Sequence, residues 1–89
     1  MQRRSVYYSG RVQGVGFRMT TRYIAEGFEV VGYVKNLPDG RVEKVAEGKA
    51  KELDRFLAAI DEQMAGLVRD QQIDTAAASG QFSDFTIAY

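Results

Sequence analysis

The chain has 89 residues, 45% of them apolar, with twelve basic and twelve acidic side chains in balance and no cysteine or histidine. Zero net charge excludes a nucleic acid or membrane surface held by bulk electrostatics, and the missing residue types exclude disulfides, structural zinc, a thiol nucleophile and the usual general base. There is no linker-like stretch, no internal repeat and no apolar run able to span a bilayer, so the expectation is one soluble cytoplasmic domain over residues 1–89, acting as a monomer.

Ser5 to Val12 places Val6, Tyr8, Gly10 and Val12 on one side and Tyr7, Ser9 and Arg11 on the other, which predicts the first strand. From Phe17 the period lengthens. Phe17, Thr21, Ile24, Ala25 and Phe28 share a helical face, so a helix is expected from Phe17 to Glu26 with Gly27 at its end. Val30 to Leu37 and Arg41 to Glu47 are rich in Val, with Pro38-Asp39-Gly40 between them, the composition of a hairpin turn. Ala50, Leu53, Phe56, Leu57, Ile60 and Met64 form an amphipathic stripe and predict the second helix. Leu67 to Ile73 reads as a strand whose interior Asp70-Gln71-Gln72 suits an exposed or edge position. Thr75 to Gly80 reads as a flexible connection, and alternation of Phe85, Ile87 and Tyr89 predicts a short closing strand. The order is that of an α+β, ferredoxin-like βαββαβ sandwich, an antiparallel sheet with two helices on one face and a small C-terminal strand added.

Between the first strand and first helix lies Gly10-Arg11-Val12-Gln13-Gly14-Val15-Gly16-Phe17-Arg18. Gly14 and Gly16 permit successive N–H groups to converge on an anion ahead of a helix N-terminus. Arg18, in the first helical turn, opposes the helix dipole, a penalty that a bound anion reverses. The dinucleotide fingerprint fails because Met19 stands where its third glycine would be, and the Gly-Lys-Ser/Thr of the Walker loop is absent. On spacing alone, two readings of the segment stand: an anion cradle, or a tight turn followed by a solvated arginine. Asn36, before Leu37-Pro38-Asp39-Gly40, has the same double reading, as a turn residue bonding its own backbone or as an amide able to orient a water. Lys35 beside it is either a phosphate contact or a solvated strand lysine.

Taken together, Gly10-x-Val12-Gln13-Gly14-Val15-Gly16-Phe17-Arg18 and Gly32-Tyr33-Val34-Lys35-Asn36-x-x-x-Gly40-x-Val42, with Gly48 beyond, resemble both signature segments of the acylphosphatases. The closing Asp84-Phe85-x-Ile87-x-Tyr89 is similar as well, so the resemblance spans nearly the whole chain. Phe28-Glu29-Val30 and Gln63-Met64 depart from the family's usual Leu-Gly-Leu and Gly-Pro.

The resemblance implies hydrolysis of the carboxyl-phosphate bond of small acyl phosphates. It further implies that Arg18 binds the phosphate with the loop residues Gln13, Gly14, Val15, Gly16 and Phe17, and that Asn36 positions the attacking water. No metal and no cofactor are called for, because the leaving carboxylate has a conjugate acid of pKa near ~4 and departs without a general acid. One alternative is a non-catalytic anion-binding or regulatory module on the same fold, or part of a larger carbamoyl-transfer system. Another is an RNA-binding module using Tyr7, Tyr8 and Tyr33, which the missing signature and zero net charge disfavour.

Overall fold

The computed structural model describes all of residues 1–89. Seven elements follow one another: β1 (Gln2–Gly10), α1 (Phe17–Ala25), β2 (Val31–Asn36), β3 (Val42–Gly48), α2 (Ala50–Gln63), β4 (Val68–Ala77) and β5 (Phe85–Ala88). The strands form one sheet in the order β4-β1-β3-β2-β5. The ferredoxin-like arrangement is therefore present, and the added C-terminal strand makes its sheet mixed. β1, β2, β3 and β4 pair antiparallel as expected, whereas β5 adds to β2 in parallel, Lys35 lying beside Ala88.

Both helices cover the same face. Phe17, Thr21 and Ala25 recur one turn apart on α1, and Leu53, Phe56 and Ile60 on α2, and all six are buried. The apolar members pack on Val6, Tyr8, Val34, Val42, Ala46 and Phe85 of the sheet. Burial of these side chains, each worth about 1.5 to 3 kcal/mol for the larger ones, is what holds the layers together. The other face is uncovered and polar: the Tyr7 and Tyr33 hydroxyls both donate to the Glu43 carboxylate, at 3.1 and 2.9 Å.

Strand ends differ from the sequence expectation where pairing overrides local composition. β1 begins at Gln2 rather than Ser5, because Gln2 is paired on both sides, with Gly48 and Ala77. It stops at Gly10 rather than Val12, where the register with β4 shifts and the Arg11 N–H turns to the Leu67 carbonyl. β4 is an edge strand, as its polar interior suggests, but it runs on to Ala77. Thr75 to Ala77, expected to be a flexible connection, are drawn into the sheet opposite Arg4, Arg3 and Gln2. α1 ends at Ala25, one residue short of the expected Glu26, in a tight turn with Gly27 N–H donating to the Ile24 carbonyl.

Candidate active site

Strand register brings the two sequence segments to one end of the sheet. Tyr8 of β1 lies opposite Val42 of β3, and Val42 opposite Asn36 of β2. The loop that leaves β1 after Gly10 thus starts at the end of the sheet where β2 finishes. β5, parallel to β2, finishes there too, which carries Tyr89 to the same end.

In the loop, Gly14 and Gly16 have φ of +75° and +79°, the left-handed region that other residues resist. A Cβ at either position would meet nothing within 4 Å, so glycine is required by the turn of the backbone and not by crowding. The N–H groups of Gln13, Gly14, Val15 and Gly16 donate to no protein acceptor, and those of Phe17, Arg18 and Met19 precede the first intrahelical bond, from Thr20 N–H to the Gly16 carbonyl at 3.0 Å. The helix N-terminus has no side-chain cap and no acidic residue in its first turn. Unsatisfied amides and the positive end of the helix dipole give this stretch of backbone a positive potential suited to an anion.

Arg18 forms no ion pair, and its guanidinium carbon lies 5.0 Å from the centre of the Tyr89 ring. A half-buried arginine beside an aromatic ring, with no carboxylate on it, keeps its planar fork available for two oxygens of an anion. Phe17, next to it, is buried and packs on Tyr8 with ring centres 4.9 Å apart, anchoring the start of α1 to the sheet. Phe17 therefore gives its side chain to the core and leaves its backbone N–H at the open start of the helix.

Asn36 is the last residue of β2, half-buried, on the face that α1 and α2 cover, with no protein partner for its amide. The turn reading of this residue is not realised; Asp39 does that work, accepting from the Arg41 N–H at 3.1 Å and from Arg41 Nε at 2.8 Å. Lys35 points to the opposite, uncovered face, where its register partner is Glu43. It is not gathered with Arg18 and Asn36. The Gln13 side chain goes elsewhere again, its Nε2 donating to the carbonyls of Leu37 and Arg41 at 2.8 and 2.9 Å.

A model of the family described as Acylphosphatase matches residues 4–87. The chain belongs to the acylphosphatase family. An acylphosphatase of Archaeoglobus fulgidus is 56% identical over 55 residues, so that the matched segment spans 62% of each of the two chains, less than two thirds of that relative. One of Syntrophus aciditrophicus is 43% identical over 93 residues, covering 100% of this chain and 94% of its own. The crystal structure of an acylphosphatase from Bacillus subtilis superposes with a TM-score of 0.89 at 33% identity, with all of both chains covered.

Two features of this acylphosphatase chain were not drawn from its sequence. Tyr89, 91% exposed and predicted only as part of the closing strand, lies beside Arg18. Lys44 of β3 is 2% exposed, with its ammonium 4.6 Å from the Phe56 ring centre and 5.7 Å from that of Tyr8. Burial pushes its amine down to about 7, against the upward pull of Asp61 and with a smaller downward push from Arg4. No grouping of three or more acidic side chains able to hold a metal ion occurs.

Proposed function

We propose that residues 1–89 act as one cytoplasmic, monomeric acylphosphatase that splits small acyl phosphates by direct attack of water, without a metal or a covalent intermediate. The observation that carries this reading is the row of backbone amides from Gln13 to Met19 with no protein acceptor, beside an arginine with no ion pair. Such a surface accepts a phosphoryl group and has no internal competitor for it.

In the mechanism, the Arg18 guanidinium holds two phosphate oxygens while amides from Val15 to Arg18 hold the third. Gln13, Gly14 and Phe17 complete the phosphate-binding loop with their backbone. Asn36 directs a water at phosphorus, in line with the acyl oxygen. The water oxygen bonds to phosphorus, the bond from phosphorus to the acyl oxygen breaks, the carboxylate leaves with that electron pair, and the water's proton passes to a phosphate oxygen. Because the conjugate acid of a carboxylate has a pKa near ~4, nothing must protonate the leaving group. Catalysis then consists of positioning and electrostatic stabilisation, which arginine, asparagine and backbone can supply.

Incubation with benzoyl phosphate, with and without a chelator, tests the reading. Equal turnover in both is expected. No turnover would identify an anion-binding module on this fold, and turnover abolished by the chelator would overturn the metal-free mechanism. Asn36→Ala should lower kcat by about 100-fold or more while leaving the inhibition constant of inorganic phosphate nearly unchanged. Parallel loss of both would assign Asn36 to anion binding instead.

A further inference from the structure

Gln13 spans the gap between the loop and the hairpin. Its single nitrogen uses both N–H bonds, one to the Leu37 carbonyl at 2.8 Å and one to the Arg41 carbonyl at 2.9 Å. Those carbonyls face each other across the turn after β2. Leu37 O already accepts from the Gly40 N–H at 3.1 Å, and Arg41 O from the Leu37 N–H at 2.8 Å. Gln13 therefore takes the second lone pair of each carbonyl and ties the two arms of the turn to the loop. From the other side, Asp39 binds the Arg41 backbone and side chain, and the Arg41 guanidinium carbon lies 5.0 Å from the Tyr7 ring centre. The residue immediately before Leu37 is Asn36, and the residue immediately after Gln13 is Gly14.

We propose that the Gln13 side chain is a positioning residue that joins the phosphate loop to the β2–β3 turn and thereby fixes Asn36 relative to the phosphoryl group. This inference rests on the role of Asn36 given above. The two halves of the site come from segments far apart in sequence that share no backbone hydrogen bond beyond the sheet, and the Gln13 amide is the side-chain bridge between them. The bridge demands two donors on one short, uncharged side chain. A carboxylate of the same shape has no N–H to give, and a lysine would set a second cation beside the loop. Errors of about 1 Å in placing a nucleophile cost on the order of 100-fold in rate, so a bridge of this kind acts on turnover more than on binding.

The test is a double-mutant cycle on benzoyl phosphate hydrolysis with Gln13→Met, which keeps the side-chain length and removes both donors, and Asn36→Ala. Gln13→Met alone should lower kcat by roughly 10- to 100-fold, with the inhibition constant of inorganic phosphate unchanged within about twofold. In the Asn36→Ala background it should cost nothing further, because the group it positions is gone. An equal loss in both backgrounds, or a matching loss of phosphate affinity, overturns the positioning role while leaving the Asn36 reading intact. Unchanged kcat in Asn36→Ala alone overturns the Asn36 reading and this role with it. Should Gln13→Met not fold, Gln13→Asn, which retains the amide but falls one methylene short, is carried through the same cycle and read the same way.

Discussion

Two loops at opposite ends of the sheet are built alike and finished differently. The loop after β1 has left-handed Gly14 and Gly16, and the segment after β4 has left-handed Gly80, at φ +74°. Both expose consecutive backbone N–H groups. At Ser79 and Gly80 the protein supplies its own anion: the Ser79 N–H and hydroxyl donate to Glu47 Oε2 at 2.8 Å each, and the Gly80 N–H donates to Oε1 at 3.0 Å. Arg3 completes the set at 3.1 Å. In the loop from Gln13 to Gly16 no carboxylate fills the corresponding place, and the arginine there has no partner but an aromatic ring. Glycine and positive φ shape both loops; what separates them is whether the chain provides the acceptor.

The largest expected effect follows from Arg18. Arg18→Lys keeps the charge and loses the planar fork, so benzoyl phosphate turnover should fall by about 100-fold or more. Its thermal midpoint should barely move, because Arg18 holds no ion pair in the fold. Near-normal hydrolysis by this variant would dissolve the contrast between the loops.

Lys44 extends the comparison to a charge that the protein neither pairs closely nor exposes. Its amine lies near 7 in the folded chain against an ordinary value of 10.5. The unfolded chain therefore binds more protons between those values, so the stability contributed by this site rises with pH from about 7 to 10.5 and is at its lowest below 7. Lys44→Met should stabilise the protein by on the order of 2 kcal/mol at neutral pH and remove that slope, without altering turnover. Urea denaturation across the pH range measures both, and an unchanged slope would assign it to another group.

The fold was legible where one rule acted alone. The stripes of Leu53, Phe56 and Ile60, and of Phe17, Thr21 and Ala25, follow a helical period that nothing else in the chain contradicts. Strand ends were less legible, since Thr75 to Ala77 are strand only because Gln2 to Arg4 lie beside them. The parallel sense of β5 is a property of the whole topology and leaves no local mark. At the site, the glycine spacing and Arg18 were readable, and the family resemblance joined them to Asn36. The destination of the Gln13 side chain was not readable, because its two acceptors are backbone carbonyls and carry no residue identity. Lys44 was hidden for the opposite reason: by residue type it belongs on the surface, and only strand register turns it inward between Val34 and Val6.

Glu47→Gln should damage the other loop without touching the site. Burial raises the Glu47 carboxyl, but the Ser79 and Gly80 donors and Arg3 outweigh it and hold it at about 2, below the ordinary 4.5. The stability it contributes is present above about 4.5 and disappears as pH falls toward about 2. Losing the charge should cost about 1.5 to 3 kcal/mol at neutral pH, flatten that acid slope and leave turnover as it was. A loss of turnover comparable to that of Arg18→Lys would mean the two ends of the sheet are coupled.

The finest contrast uses alanine at matched glycines. Gly16 and Gly80 share a left-handed conformation, at φ +79° and +74°, and a Cβ at either meets nothing within 4 Å. The strain of alanine in that region, about 1 kcal/mol, should therefore be similar at the two sites. Its consequence should not be. In Gly80→Ala the Glu47 carboxylate remains as a template that holds the amides in place, so turnover stays at the parent level. In Gly16→Ala no internal anion restrains the loop, the backbone relaxes away from positive φ, and the amides proposed to face the phosphoryl group turn with it. Turnover should then fall by about tenfold or more. Equal turnover in the two variants, with equal loss of stability, would mean that the cradle tolerates reorientation of its amides and that Arg18 alone carries the anion.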